Sequence, residues 1–174
     1  MFKVGDNIFY PLHGAGTIES IEEKKILGEK RKYYVIKMPV GDVKVMVPTE
    51  NAENVGVRNL VGPSVVDQVF KTFDFYDEDE DVSWSKRYRD NMERRKNGDI
   101  LEIAEVVRSL TFKQKEKGLS TSEKKMLTNA KQILVSELVL TDKKDKEEIE
   151  QMIDDRMKKT FDKKMEELFE DLDK

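Results

Sequence analysis

Cysteine is absent from the 174-residue chain, which removes disulfide cross-links, thiolate zinc sites and cysteine nucleophiles together. Histidine occurs once, at His13, inside a Pro11-Leu12-His13-Gly14 stretch that reads as a turn, where a backbone role outweighs general-base work. No apolar run approaches the roughly 20 residues of a membrane span. The opening Met1-Phe2-Lys3-Val4-Gly5-Asp6 lacks the apolar core of a signal peptide, so a cytoplasmic protein without a membrane partner is expected. Neither a Walker loop nor a dinucleotide fingerprint is present. The carboxylates of residues 77–81 lack the spacing and the glycine of a calcium loop, which leaves them as a solvated linker. No catalytic residue, no metal site and no cofactor is therefore expected, and the chain does not read as an enzyme.

What is present is charge. Charged residues make up 39% of the chain and hydrophobic ones 37%, so any core must be economical. Up to about residue 60 the pattern alternates in strand fashion. Asn7–Tyr10, Gly16–Ile21, Lys32–Met38 and Val43–Val47 are rich in β-branched and aromatic residues. Pro11 with His13-Gly14, Gly28, and Pro39 with Gly41-Asp42 punctuate them. Four or five short strands on this spacing predict a small, curled antiparallel barrel over residues 1–62.

From Pro63 the period becomes helical. Pro63 suits a first helical position, and Val65, Val66, Val69, Phe70 and Phe73 recur at helical spacing. After the acidic connector 74–81, Asp81 or Ser83 can cap a helix that Asn97-Gly98 closes. Asp99 with Glu102, and Ser120 with Glu123, are capping-box patterns. They open helices carrying Ile100, Ile103, Ala104, Val107 and Leu110, and then Leu127, Ala130, Leu134 and Leu138, with Gly118 between. Two such stripes joined by a short turn read as an αα-hairpin in a compact all-helical domain, residues 63–141. The expected fold class is mixed β and α, in two domains.

Residues 142–174 continue as a charged amphipathic helical extension. Ile149, Met152, Ile153, Met157, Phe161, Met165, Leu168, Phe169 and Leu172 recur every three or four positions, which predicts docking on the preceding domain or, as the lesser option, self-association.

The single tryptophan, Trp84, sits between the acidic connector and a basic stretch. Residues 86–96 hold Lys86, Arg87, Arg89, Arg94, Arg95 and Lys96 against Asp90 and Glu93. A flat apolar ring beside several cations suits contact with both a base stack and its phosphates. The competing reading is a core residue at a helix start. Lys124 and Lys125, on a helix expected to pack nearby, extend the basic patch. In the first domain, Lys44-Val45-Met46-Val47-Pro48 is an extended run ending in a proline that cannot continue a ladder, which suits a sheet edge open to strand addition. An ordinary internal strand fits the same composition.

Phe2-Lys3-Val4-Gly5-Asp6, Tyr10-Pro11 with His13-Gly14, Val47-Pro48 with Glu50-Asn51-Ala52, and Val55-Gly56-Val57-Arg58 resemble the N-terminal module of the CarD family of bacterial transcription regulators. Trp84-Ser85 with Arg87-Tyr88, Asn97-Gly98-Asp99, Ala104-Glu105-Val106-Val107-Arg108, Gly118-Leu119-Ser120 with Glu123-Lys124, and Ala130 with Gln132-Ile133-Leu134 extend the resemblance in order to about residue 140.

The resemblance implies a Tudor-like barrel, similar to the polymerase-interacting module of transcription-repair coupling factors, that holds the RNA polymerase β subunit by strand pairing. Lys24, Lys44, Val45, Met46, Val47 and Pro48 are the residues it assigns to that contact. Many relatives place arginines at the positions of Lys24 and Met46, so backbone pairing and apolar packing are expected to carry more of the contact here.

For promoter DNA it implies a minor-groove wedge, Trp84, at the upstream edge of the melted bubble. Phosphates are then held independently of sequence by Lys86, Arg87, Arg89, Lys124 and Lys125. A single copy is expected in the bound state. A polymerase-bound adaptor without DNA contact, or an RNA-binding barrel, are the other readings.

Overall fold

A computed structural model describes residues 1–39, 43–76 and 84–173, with the side chains of residues 84, 85, 87 and 94–97 outside that description. The elements run β1 (Asn7–Tyr10), β2 (Gly14–Ile26), β3 (Glu29–Lys37), β4 (Lys44–Pro48), β5 (Arg58–Asn59), α1 (Pro63–Thr72), α2 (Trp84–Asn97), α3 (Ile100–Glu116), α4 (Thr121–Asp142) and α5 (Lys146–Leu172). The mixed β and α class expected from sequence is found. The acidic run 77–81 and the caps Asp81 and Ser83 lie outside the described residues.

The strands form one antiparallel sheet in the order β4-β3-β2-β1-β5, and this sheet is not closed. The expected barrel is thus corrected to an open sheet. Closure would need β4 and β5 to pair, but β5 is two residues long and both are engaged by β1. One sheet face is also already covered by helices.

Alternation along the strands explains how the sheet serves two cores. Ile8, with Ile18, Tyr34, Ile36 and Val47, packs into the sheet's own apolar cluster. Its neighbour Phe9, with Ala15, points the other way and joins the core of the helices.

β2 runs further than the sequence pattern suggests, because β3 supplies ladder partners through a charged stretch of low β-propensity. Glu22 pairs with Tyr33, and Ile26 with Glu29. Beyond the β-bulge at Glu19 this ribbon is largely exposed, and it turns at Leu27 (φ 53°) and Gly28 (φ 84°). Such paired left-handed residues match the twist of a tight hairpin.

The helix boundaries follow local chemistry. Pro63 occupies the first turn of α1. Asp99 Oδ1 accepts the Leu101 N–H at 2.9 Å, and Ser120 Oγ accepts the Glu123 N–H at 3.2 Å. Each cap satisfies an otherwise orphaned donor, worth about 1 kcal/mol. α3 ends where the Gly118 N–H (φ 85°) returns to the Lys113 carbonyl at 3.1 Å. The break between α4 and α5 uses left-handed Lys143 (φ 54°) and a new cap, Asp145 Oδ1, which accepts the Glu148 N–H at 2.8 Å. The first half of α5 docks through buried Ile149, Ile153 and Met157, each contributing about 1.5–3 kcal/mol.

Candidate functional site

β4 is the terminal strand of the sheet, pairing among the described residues with β3 alone. The Met38 N–H donates to the Val43 carbonyl, and the Thr49 N–H to the Lys32 carbonyl. With the register Val47↔Tyr34 and Val45↔Ile36, the odd-numbered residues of β4 bond inward. The main-chain groups of Lys44 and Met46 therefore face the open edge, where Pro48 ends the outward row because it has no N–H. Lys44 and Met46 are exposed, Val45 and Pro48 half-buried, and Val47 buried.

Lys44 does not project freely. Its Nζ reaches across β3 to Glu19 Oε2 at 2.9 Å, and the bulge at Glu19 re-aims that carboxylate towards β4. Hydrogen bonding to Lys44 holds the Glu19 carboxyl below its ordinary value, and the same bond holds the Lys44 amine above its own. Lys24 lies elsewhere on the same sheet. It pairs with Arg31 on the exposed ribbon, two β3 residues beyond Tyr33, the partner of Pro48.

The second group of residues lies on the helices. Trp84 opens α2, and its side chain, like that of Arg87, lies outside the described residues. Buried Asn91 and half-buried Tyr88 and Met92 form the inward face of α2, while Lys86 and Arg89 are exposed. α2 packs against α3 and α4. Lys124 and Lys125 are exposed near the start of α4. The exposed cations of Lys86, Arg89, Lys124 and Lys125 thus stand on two contacting helices.

A joint that sequence reasoning missed connects the two groups. Arg58 Nη1 and Nη2 donate to Glu137 Oε2 and Oε1 at 2.8 and 3.0 Å, a bidentate pair. Arg58 also donates to the carbonyls of Asn59 and Gly98, both at 2.9 Å, and lies 4.1 Å over the Phe9 ring. The fully buried Glu137 carboxylate takes a third bond, from the Val61 N–H at 2.9 Å.

Next to Glu137 on α4, Ser136 Oγ accepts the Ala15 N–H at 2.8 Å and donates to the Ile133 carbonyl at 2.6 Å. Gly14 (φ 100°) passes so close to α4 that an added Cβ would lie 2.5 Å from Ser136 Oγ. Pro11 is clasped between Gly56 and Gly98 in the same manner. The one available signal was Glu137 itself, a carboxylate interrupting the apolar run Ile133–Leu140.

His13 takes the backbone role expected of it: its N–H donates to the Tyr10 carbonyl at 3.0 Å, and its ring stacks on Tyr10. Among the described residues no helix is long and apolar enough to cross a membrane, and no cluster of potential metal ligands occurs.

Two family matches divide the chain along these lines. The CarD-like/TRCF RID domain matches residues 2–61, and the CarD C-terminal domain matches residues 68–154. The chain is also similar to a Bacillus subtilis (strain 168) protein named "Putative transcription factor YdeB", with 46% identity over 138 residues, covering 79% of this chain and 90% of that relative. With both domain matches in order and a relative this similar along nearly its whole length, the chain belongs to the CarD family.

Proposed function

We propose that the protein is a non-enzymatic, cytoplasmic regulator of transcription that stabilises the promoter open complex while held on RNA polymerase. The β4 edge pairs with a strand of the β subunit through the outward main-chain groups of Lys44 and Met46, with Lys24 adding charge from the ribbon. Trp84 enters the minor groove at the upstream edge of the bubble. Lys86, Arg87, Arg89, Lys124 and Lys125 hold phosphates without reading sequence.

The observation that carries this reading is that the sheet whose edge is open is fastened to a cationic pair of helices, through Phe9 and Ala15 in the helical core and through the Arg58–Glu137 pair. Binding at one end therefore fixes the position of the other, which raises the local concentration of the helical module at the promoter. A wedge costs a few kcal/mol of unstacking in intact duplex and much less at a fork already open. Differential binding to the fork then favours the open state. The relative's name and the RID-domain match support a role in transcription.

Footprinting of polymerase–promoter complexes tests it. Protection at the upstream bubble edge is expected when the protein is present. An unchanged edge despite bound protein would favour the adaptor reading, in which the helices recruit another protein.

A further inference from the structure

Residues 155–174 lie beyond the match to the CarD C-terminal domain, and the end of α5 from Glu166 onward is not packed on the fold. Phe161 is the last apolar residue of the helix packed on the core, close to Tyr76 and Phe112, and Lys164 lies over the Tyr76 ring one turn later. Every residue from Glu166 to Asp173 is exposed. Leu168 is 44% exposed, Phe169 68% and Leu172 80%, although they continue the apolar stripe of Phe161 and Met165 at three- and four-residue spacing. An apolar stripe facing water on a projecting helix is expected to find a cover.

Charge along the helix identifies the cover. Residues 156–164 hold five cations and one carboxylate, and residues 165–173 hold five carboxylates and no cation. Such an acidic end is poorly suited to stand alone, because carboxylates at a helix C-terminus oppose the macrodipole and no basic residue occupies the last turn of α5. A second copy laid antiparallel brings its basic half against this acidic half and its apolar stripe against this stripe.

We propose that the distal half of α5 is a self-association surface, on which two copies of the chain pair antiparallel about a two-fold axis near Glu166. In that register Met165 faces the partner's Leu168, while Lys159 and the partner's Asp173 lie on the same flank of the stripe. The contact is isologous and closes after two copies. Three helical turns per chain make a small interface, so the dissociation constant is on the order of 10–100 µM. The proposal concerns the free chain and stands apart from the polymerase and DNA contacts.

Sedimentation equilibrium of the full chain from about 5 to 500 µM, bracketing that constant, tests it. A monomer–dimer equilibrium that weakens with added salt is expected for the unchanged protein. Leu168→Lys with Leu172→Lys should be monomeric throughout, with unaltered thermal unfolding because both positions are exposed. Asp173→Lys, which the two-fold repeats on both chains, should weaken the dimer at least about fivefold, roughly 1 kcal/mol. Mixing it with Lys159→Glu chains should restore association. A protein monomeric across the whole range, a dimer that survives the two leucine changes, or charge-reversed chains that do not recover on mixing would each overturn the proposal.

Discussion

Arg58 and Glu137, 79 residues apart in the chain, form a bidentate ion pair whose carboxylate is completely buried while the guanidinium remains partly exposed over Phe9. The pair joins β5, at the sheet edge opposite β4, to the C-terminal part of α4, so it ties the sheet whose other edge is proposed to hold polymerase to the helices proposed to touch DNA. A buried pair is a weak argument for net stability, but removing one partner leaves the other charge desolvated and alone.

Arg58→Ala is therefore expected to destabilise the protein by about 3–5 kcal/mol. Glu137→Gln keeps the shape and the acceptor for the Val61 N–H, and should cost less. Chemical denaturation of the three proteins checks the ranking. Equal stability of Arg58→Ala and the unchanged protein would show that the joint carries nothing.

Close approach of β2 to α4 gives a second prediction. Gly14 and Gly28 both have positive φ, but a Cβ at Gly14 would strike Ser136 Oγ, whereas none lies within 4 Å at Gly28. Gly28→Ala should cost only the backbone term, about 1–2 kcal/mol. Gly14→Ala should add an overpacking cost of about 1–3 kcal/mol. Thermal unfolding of both variants distinguishes them, and equal losses would contradict the packed joint.

Much of this architecture was legible from short-range chemistry. Pro63, Asp99, Gly118 and Ser120 announce helix ends within one turn, and the buried faces of α3 and α4 repeat at the helical period. The Lys44–Pro48 run matched β4 residue for residue. Arg58–Glu137 and Ala15–Ser136 were not legible, because their partners are brought together only by folding. Closure of the sheet was misread for a similar reason: it depends on whether β4 meets β5, and strand patterns do not encode that. The two groups proposed to meet DNA stand differently, since exposed cations at Lys86, Arg89, Lys124 and Lys125 follow from helical phase whereas the wedge assignment for Trp84 rests on sequence context and family resemblance.

Glu19 and Lys44 predict a pH signature. The Glu19 carboxyl titrates below its ordinary value, so the pair's contribution is present at neutral pH and is lost as pH falls through that lowered value. The Lys44 amine titrates above its ordinary value, so the contribution is lost at the alkaline end as pH rises through it. Carboxyl NMR of Glu19 should show the depressed midpoint, and Lys44→Ala should return it to the ordinary carboxylate range. A midpoint unaffected by Lys44→Ala would refute the bridge.

Proline substitution tests the polarity of the β4 edge. Met46→Pro removes an outward N–H and leaves the inward bonds of Val45 and Val47 in place. It should cut affinity for the polymerase β subunit at least about tenfold, roughly 1.4 kcal/mol, with little loss of stability. Val45→Pro removes an inward bond and should destabilise the sheet itself. Unchanged β-subunit binding by a folded Met46→Pro protein would remove β4 from the interface.

The most direct measurement is the lifetime of the promoter open complex formed by polymerase alone, with the unchanged protein, and with Trp84→Ala. The account predicts a longer lifetime with the unchanged protein. With Trp84→Ala, most of that gain should be lost although the variant still folds and still binds polymerase. A lifetime that the protein does not alter, or one that Trp84→Ala lengthens as fully as the unchanged protein, would contradict it.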